Sequence, residues 1–171
     1  MDWQEFRSRP VLSTLFDVIV LVGVMVAIHA WQTRDLPLAE PAPARPLLTL
    51  EGVAAQSPIH EGEVGVVYFF APWCHVCRAS MGNLDDLVAD GNVAWASAIA
   101  LDYEDTRSVE NFVEEVGISF PVLMGQGQEV IDWGIRGYPT YFVIGSNGQI
   151  ASRSVGYSTS LGLRFRLWWA D

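Results

Sequence analysis

An uninterrupted apolar run is followed almost at once by the only two cysteines of the chain. The run is VGVVYFF, residues 64–70, and Ala-Pro-Trp then leads into Cys74-His-Val-Cys77. A run of four to eight apolar residues is typical of a strand buried on both faces of a sheet. Apolar residues then recur at helical spacing as far as Val88. A buried strand leading into a helix predicts an α/β fold, with Cys74 at the start of the helix and Cys77 on its apolar face.

The rest of the chain alternates between strand and helix patterns. Strand candidates are residues 47–50, 93–101, 122–124, 141–144 and 150–155, and helix candidates are residues 109–116, 130–133 and about 158–170. Gly117 suits the C-terminal cap of the first of these helices. Ser146-Asn147-Gly148 is a strong signal for a hairpin turn between the last two strands. This order predicts a mixed central sheet flanked by helices.

Cys74 is placed to act as a nucleophile. A helix N-terminus carries partial positive charge and free N–H groups, and both stabilise a thiolate over a thiol. Cys77 lies one turn later and can resolve a mixed disulfide by attacking Cys74, so we expect Cys74 to be exposed and Cys77 buried. His75, when protonated, would stabilise the thiolate further and make the disulfide more oxidising. Alternatively, His75 is an exposed side chain with little effect.

Other roles for the cysteine pair find less support. A structural zinc site needs four ligands, and beyond the pair the chain offers His60, His75 and His29, the last inside an apolar segment. Covalent haem attachment needs Cys-x-x-Cys-His, but Arg78 follows Cys77. A purely structural disulfide closing so short a loop would add little stability. We therefore expect no metal and no cofactor beyond a redox-active Cys74–Cys77 disulfide.

Charge excludes one class of partner. The net charge is −10 and all ten basic residues are arginines, without a basic run. Nucleic acid binding through phosphate contacts is therefore not expected.

A second apolar stretch lies near the N-terminus. Residues 11–31 would span about 31 Å as a helix, close to the roughly 30 Å hydrocarbon core of a bilayer. Asp17 carries an insertion cost, and the uninterrupted core 18–28 also fits the apolar region of a cleaved signal peptide. Ile28 and Ala30 match a cleavage site poorly, and the Pro-rich stretch that follows disfavours a buried helix of a folded domain. We predict an uncleaved transmembrane anchor.

APWCHVC after a buried strand, with GYPTYFVI about sixty residues later, resembles the thioredoxin fold over roughly residues 44–171. The resemblance implies that Pro139 is a cis-proline facing the disulfide. It also implies that Trp73, Tyr138 and Thr140 contribute to substrate binding. A cis-proline would leave the backbone of Tyr138 free to pair with a substrate strand. An ordinary trans-proline at the entry of a strand is the alternative.

Further features narrow the resemblance. The anchor, the proline-rich stretch and Phe120-Pro121 are similar to the membrane-anchored periplasmic TlpA/ResA/DsbE-type family. The tail 155–170 and the Cys77-Arg78 pair resemble the suppressor of copper sensitivity protein D (ScsD) type.

Four positions depart from the family pattern. Tyr138 is bulkier than the Thr, Val or Ile usual before the cis-proline, and Thr140 follows it where haem-maturation relatives tend to carry an acid. Tyr68 stands where thioredoxins carry a buried Asp, and Ser80 where haem-maturation relatives carry Glu, so the proton acceptor for Cys77 is unidentified.

The resemblance implies a place and partners. It implies a single-pass protein of the bacterial inner membrane with its thioredoxin domain in the periplasm. The regions would be a cytoplasmic tail (1–10), a transmembrane anchor (11–31), a Pro/Ala-rich linker holding the domain off the membrane (32–46) and a thioredoxin-like domain (47–171). The implied partners are protein thiols or disulfides and a transmembrane electron-transfer protein of the DsbD/ScsB kind.

Three functions follow from these residues. The leading one is a protein-disulfide oxidoreductase exchanging disulfides through Cys74 and Cys77, with a link to copper tolerance implied by the resemblance. The second is an apocytochrome c reductase acting before haem attachment. The third, of another class, is a copper-binding module that uses Cys74, Cys77 and His75 as soft ligands.

Overall fold

The computed structural model describes residues 10–52 and 57–170. The predicted cytoplasmic tail, apart from Pro10, lies outside the described residues. The chain divides into two units, with the boundary between Arg34 and Asp35.

The first unit contains one long helix, α1, Pro10–Thr33. Its segment Ser13–Thr33 has a mean hydropathy of 2.1, and the 18-residue apolar window within it contains no buried residue. Pro10 suits the first helical position, because its missing N–H would have no partner there. The helix is long and apolar enough to cross a membrane, and an N-terminal signal sequence has the same properties.

The second unit is built on a central sheet. Within the described residues, six strands lie in the order β1-β4-β3-β2-β5-β6. Their bounds are β1 Leu48–Thr49, β2 Gly65–Phe70, β3 Trp95–Ala100, β4 Val122–Met124, β5 Thr140–Ile144 and β6 Ile150–Val155. Strands β2, β3 and β4 run parallel, whereas β5 is antiparallel to both β2 and β6. The predicted mixed sheet and thioredoxin fold are confirmed.

Helices cover the sheet and create two cores. Their bounds are α2 His75–Ala89, α3 Thr106–Val116, α4 Gly127–Asp132 and α5 Ser160–Ala170. Alternate residues of β2 face opposite sides, as the twofold repeat of a strand requires. Tyr68 packs in a core with residues of α2, α3 and α5, and Phe69 packs in the other core with Trp133. Gly117 caps α3 in the left-handed conformation with φ +71°, as predicted.

The segment after α1 differs from its prediction. Residues 35–46 do not form a spacer, because they pack on the second unit. Leu36 and Ala42 are only 4% and 6% exposed, and they belong to the core that contains Phe69. The backbone N–H of Ala39 donates to the carbonyl of Ile150 at 2.8 Å. Apolar side chains between the prolines therefore seat this segment, and the folded unit starts at Asp35 rather than at residue 47.

Candidate active site

The two cysteines lie where β2 passes into α2. Cys74 is the N-cap of α2 and is disulfide-bonded to Cys77, with 5.3 Å between their Cα atoms. The backbone N–H of Cys77 donates to Sγ of Cys74 at 3.1 Å. The predicted position of Cys74 at a helix N-terminus is confirmed, and one N–H group of the first turn already points at its sulfur.

The exposure of the pair departs in part from expectation. Cys77 is fully buried, as predicted, but Cys74 is only 5% exposed in this oxidised state. Both belong to the core beneath α2. The surface around them is formed by Trp73 and Val76, which are 61% and 46% exposed. The exposed residues next to the pair in the chain are thus Trp73, His75 and Val76.

Arg78 brings a permanent positive charge to the first turn of α2. Its guanidinium donates to the carbonyl of Pro72 at 3.1 Å and pairs with Glu115 at 3.1 Å. It also lies 3.5 Å from Nδ1 of His75. Arginine can only donate, so this contact leaves the His75 nitrogen as an acceptor. From the sequence, His75 was the candidate for a positive charge near Cys74. The structure adds Arg78, which keeps its charge at every physiological pH.

Pro139 lies at the same edge of the sheet as the disulfide. Thr140 pairs in register with Phe69 near the end of β2, which leads to the cysteines. The Tyr138–Pro139 bond is cis, as expected. Thr140 is fully buried and its hydroxyl donates to the carbonyl of Gly137 at 2.8 Å. Thr140 thus holds the turn around Pro139, and its contribution to substrate binding stays a prediction.

A third residue, Asp102, joins the two aromatic side chains predicted to bind substrate. Nε1–H of Trp73 donates to the backbone carbonyl of Asp102 at 3.0 Å, and the Tyr138 hydroxyl donates to the Asp102 carboxylate at 3.1 Å. The two rings meet edge to face with 5.8 Å between centroids. We call Trp73, Asp102 and Tyr138 the Asp102 cluster. Burial, and secondarily the negative charge of Asp102, raise the pKa of Tyr138 well above its usual range.

Sequence reasoning missed Asp102, although a signal was present. It comes directly after Leu101, just past the end of β3, which is parallel to β2. Carboxyl ends of neighbouring parallel strands meet at one edge, so a polar residue there shares the edge with Cys74. Asp102 also has φ +48°, a left-handed conformation that Asp tolerates better than most residues.

A buried hydroxyl pair lies one turn beyond Cys77. Tyr68 and Ser80 are 1% and 0% exposed, and their hydroxyls share a hydrogen bond. These are two of the positions where the family resemblance leads one to expect acids. Burial raises the pKa of Tyr68 far above its usual range, so it stays neutral at physiological pH. The pair can donate or accept a hydrogen bond near Cys77, but it cannot hold a negative charge.

Within the part of the chain that the structure describes, no group of three or more His, Cys, Asp or Glu side chains is placed to hold a metal ion. His60 instead stacks on Trp95, with 5.2 Å between ring centroids. The site's chemistry therefore rests on the two sulfurs.

Comparison with known proteins identifies the family. The model of the AhpC/TSA family matches residues 38–153, which is more than half of the 171-residue chain. The chain belongs to the AhpC/TSA family. The match begins inside the segment 35–46 that packs on the sheet, in agreement with a folded unit that starts before residue 47.

Curated relatives of this AhpC/TSA family member share one activity by name. The thiol-disulfide oxidoreductase ResA of Bacillus thuringiensis (strain Al Hakam) is 29% identical over 128 residues, covering 74% of each chain. The thiol:disulfide interchange protein CycY of Rhizobium leguminosarum bv. viciae is 32% identical over 133 residues, covering 74% of this chain and 66% of that one. With the Cys74–Cys77 disulfide in place, the protein is a protein-disulfide oxidoreductase.

A solved structure agrees with this fold. The thiol:disulfide interchange protein of the thioredoxin family from Chlorobium tepidum TLS superposes with a TM-score of 0.68 at 25% identity, covering 78% of this chain and 97% of that chain. The predicted thioredoxin fold is confirmed, and the relatives ResA and CycY support the predicted resemblance to the TlpA/ResA/DsbE type.

Proposed function

We propose that the protein is a membrane-tethered periplasmic oxidoreductase that exchanges disulfides with protein partners through Cys74. The observation that carries this is the Cys74–Cys77 disulfide at the N-terminus of α2, at the same sheet edge as the cis bond before Pro139. A partner strand would pair with the backbone of Tyr138 and bring its sulfur to Cys74. Trp73 and Tyr138 would form the rim.

The exchange follows from the geometry. In the reduced protein, the Cys74 thiolate attacks one sulfur of a partner disulfide and releases the other as a thiolate. Cys77 then loses its proton to solvent or to the leaving thiolate, attacks Sγ of Cys74 and releases the second partner sulfur. Two electrons pass to the partner and the Cys74–Cys77 disulfide forms. The reverse sequence oxidises a partner dithiol.

The charges around Cys74 support its role as the attacking sulfur. The helix N-terminus, the N–H of Cys77 and the guanidinium of Arg78 all favour a thiolate there. Cys77 is fully buried, so a partner cannot reach it and it acts only inside the protein. Protonation of His75 would add to the same effect.

We place the protein in the bacterial inner membrane, with α1 as a single-pass anchor and the second unit in the periplasm. The support is the length and hydropathy of α1 and the similarity to thiol:disulfide interchange proteins. An oxidised pair needs an electron source to act again as a reductant, and we propose a transmembrane electron-transfer protein of the DsbD/ScsB kind. The ScsD-like tail is the support for a role in copper tolerance, and a deletion strain with unaltered copper resistance would remove that role.

The first experiment isolates the two cysteines. Full-length protein in mild detergent is assayed for disulfide exchange with a scrambled or oxidised protein substrate, comparing wild type, Cys74→Ser and Cys77→Ser. We expect Cys74→Ser to abolish exchange and Cys77→Ser to accumulate mixed disulfides on Cys74. Ala89→Ser, an exposed change at the far end of the same helix, is the matched control and should keep full activity. A Cys74→Ser variant as active as wild type would refute the proposal.

The second experiment identifies the partners in cells. Mixed disulfides trapped on the Cys77→Ser variant are separated and sequenced by mass spectrometry. Capture of a membrane electron carrier indicates that the protein works as a reductase, and capture of newly exported dithiol proteins indicates an oxidase. Apocytochrome c among the trapped proteins would favour the haem-maturation alternative. Stoichiometric copper on the reduced protein, lost on Cys→Ser replacement, would favour the copper-binding alternative.

A further inference from the structure

The turn that follows β6 lies against the loop that carries Pro139. Val155, the last residue of β6, pairs in register with Thr140. The backbone N–H of Gly156 then donates to the carbonyl of Pro139 at 2.8 Å. Gly156 has φ +92°, and apart from its chain neighbours no heavy atom lies within 4 Å of the position that a Cβ would take there. The turn is thus fixed to the proline loop, and the space beside Gly156 is open.

Tyr157, the next residue of this turn, is held against α2 and is still exposed. Its hydroxyl accepts a hydrogen bond from the side-chain amide of Asn83 at 3.1 Å. The same amide nitrogen donates to the carbonyl of Ser158 at 2.7 Å. Tyr157 nevertheless stays 56% exposed. Its ring is therefore restrained at the hydroxyl end and keeps apolar surface that a partner can cover.

The side of α2 that carries Asn83 also carries two exposed apolar residues nearer to the cysteines. Val76 and Ala79 precede Asn83 by seven and four residues, and both are exposed. At 3.6 residues per turn, the three residues lie within an arc of about 60°. Since Asn83 contacts Tyr157, this side of α2 faces the turn after β6. Val76 lies about 10 Å nearer to the start of α2 than Asn83 does, so the exposed apolar side chains continue to the cysteines.

Tyr157 and the Asp102 cluster flank the cysteines on two sides. The strands lie in the order β3-β2-β5-β6, with Asp102 just past β3, the cysteines past β2 and Tyr157 past β6. Adjacent strands are about 4.8 Å apart, so about 14 Å separate the ends of β3 and β6. In an extended chain, the residues two before and two after a cysteine are about 13 Å apart. A partner strand with its sulfur at Cys74 can therefore meet the Asp102 cluster with one of these residues and Tyr157 with the other.

We propose that Tyr157 selects partners that carry a bulky apolar side chain two residues from the reactive cysteine. Such a side chain removes its own apolar surface and that of the ring from water. Tyrosine has only two torsion angles to fix, and the hydrogen bond from Asn83 already restrains it, so little freedom is lost on binding. Asn83 is then a positioning residue that acts through Tyr157. This inference rests on the proposed function and deepens it, because it names a feature of the substrate.

The test measures how fast the reduced, full-length protein in mild detergent reduces disulfide-linked dimers of short neutral peptides. Each peptide has a central cysteine among serines. One peptide carries leucine two residues before the cysteine, one carries it two residues after, and one carries no leucine. Each turnover passes two electrons from the Cys74–Cys77 dithiol to the dimer and releases two peptide thiols. Liquid chromatography of the released thiols gives the second-order rate constant for each peptide.

We expect wild type to reduce each leucine peptide about fivefold faster than the serine peptide, the effect of partly burying one leucine. Tyr157→Ala should remove this preference for one leucine position and keep it for the other, which meets the Asp102 cluster. Asn83→Ala should lower the same preference about twofold, and should have no further effect on it in the Tyr157→Ala background. Phe165→Ala, an exposed aromatic change on α5, is the matched control and should leave all three rates unchanged. The equilibrium with glutathione should be unaltered in every variant, because the charges beside Cys74 are kept.

The outcomes separate this selection from disulfide exchange itself. Equal wild-type rates for the three peptides, or both leucine preferences intact in Tyr157→Ala, would overturn the selection and leave exchange standing. Equal slowing of all three peptides by Tyr157→Ala would do the same, because it would show a general effect on the site. If Asn83→Ala still lowered the preference without Tyr157, Asn83 would not act through that ring. A Cys74→Ser variant as fast as wild type on the serine peptide would instead refute the proposed function.

Discussion

Replacing Asp102 should loosen the aromatic rim beside Cys74 by an amount that depends on the replacement. The carboxylate of Asp102 accepts the hydroxyl hydrogen of Tyr138 at 3.1 Å, whereas Trp73 is held by the backbone carbonyl, which no side-chain change removes. Asp102 also has φ +48°. A substitution at Asp102 can therefore lower the free energy of unfolding in two separable ways, through the lost hydrogen bond and through the left-handed backbone conformation.

The magnitudes follow from these two terms. A hydrogen bond at this exposed site is worth about 1 kcal/mol. Placing an ordinary side chain in the left-handed conformation costs about another 1 kcal/mol. Asp102→Ala should therefore lower the free energy of unfolding by about 2 kcal/mol, and Asp102→Gly by about 1 kcal/mol. Asp102→Asn keeps both an acceptor oxygen and a tolerated conformation, so it should change stability by less than about 0.5 kcal/mol.

Urea unfolding of the full chain in detergent micelles, followed by tryptophan fluorescence, measures these differences. The same variants are assayed for exchange with a protein disulfide, where Asp102→Ala should lower kcat/KM about fivefold and Asp102→Asn much less, since about 1 kcal/mol corresponds to that factor. If Asn and Ala were equally destabilising, or if Ala were neutral, the Asp102 cluster would not hold the rim in the way described.

Three more predictions concern the two cores of the second unit. Gly65→Ala should lower stability by about 2 kcal/mol or more, because the added Cβ would lie 2.1 Å from the Trp95 ring; Gly82→Ala, with nothing within 4 Å, is the matched control and should be neutral or stabilising by denaturant unfolding. Ser80→Ala leaves the buried Tyr68 hydroxyl without a hydrogen-bond partner and should lower the free energy of unfolding by about 1–3 kcal/mol. Adding Tyr68→Phe should restore part of that free energy. A double variant that is no more stable than Ser80→Ala would contradict the pairing of the two hydroxyls. Burial raises the pKa of Tyr68, so Tyr68 stays neutral in the folded state at a pH where the unfolded tyrosine ionises. The stability that neutral Tyr68 contributes is therefore intact below about pH 10 and is lost as the pH rises toward the folded-state pKa. Tyr68→Phe should reduce the loss of stability with rising pH in alkaline unfolding titrations, and an unchanged slope would contradict this prediction.

The local pattern of apolar and polar residues was enough to locate the redox pair and most of the helices and strands. The run 64–70 and the helical spacing after it placed Cys74 at a helix N-terminus, because strands and helices each impose their own repeat on neighbouring residues. The cis bond before Pro139 was foreseen from resemblance and is present. Helix α4 begins three residues before the predicted 130, because Glu129 accepts the backbone N–H of Gln126 at 2.7 Å and caps it.

Other features depended on partners far away in the chain. Residues 35–46 read as a spacer because proline and alanine dominate them, yet Leu36 and Ala42 found a core formed about 25 residues or more downstream. Thr140 is predicted to bind substrate from its place beside Pro139, but its burial and its hydrogen bond to Gly137 depend on how β5 packs in the sheet.

The amino-acid sequence by itself determined the chemistry of this protein: two sulfurs two residues apart, at a strand-to-helix junction, in a chain with one long apolar helix. Only the tertiary structure decided how that chemistry is presented. Asp102 lies 36 residues from Tyr138, and helix α5 buries Leu163 and Leu167 while Trp168 and Trp169 stay exposed. Periodicity reports which residues share a face, but what covers that face depends on contacts between distant segments.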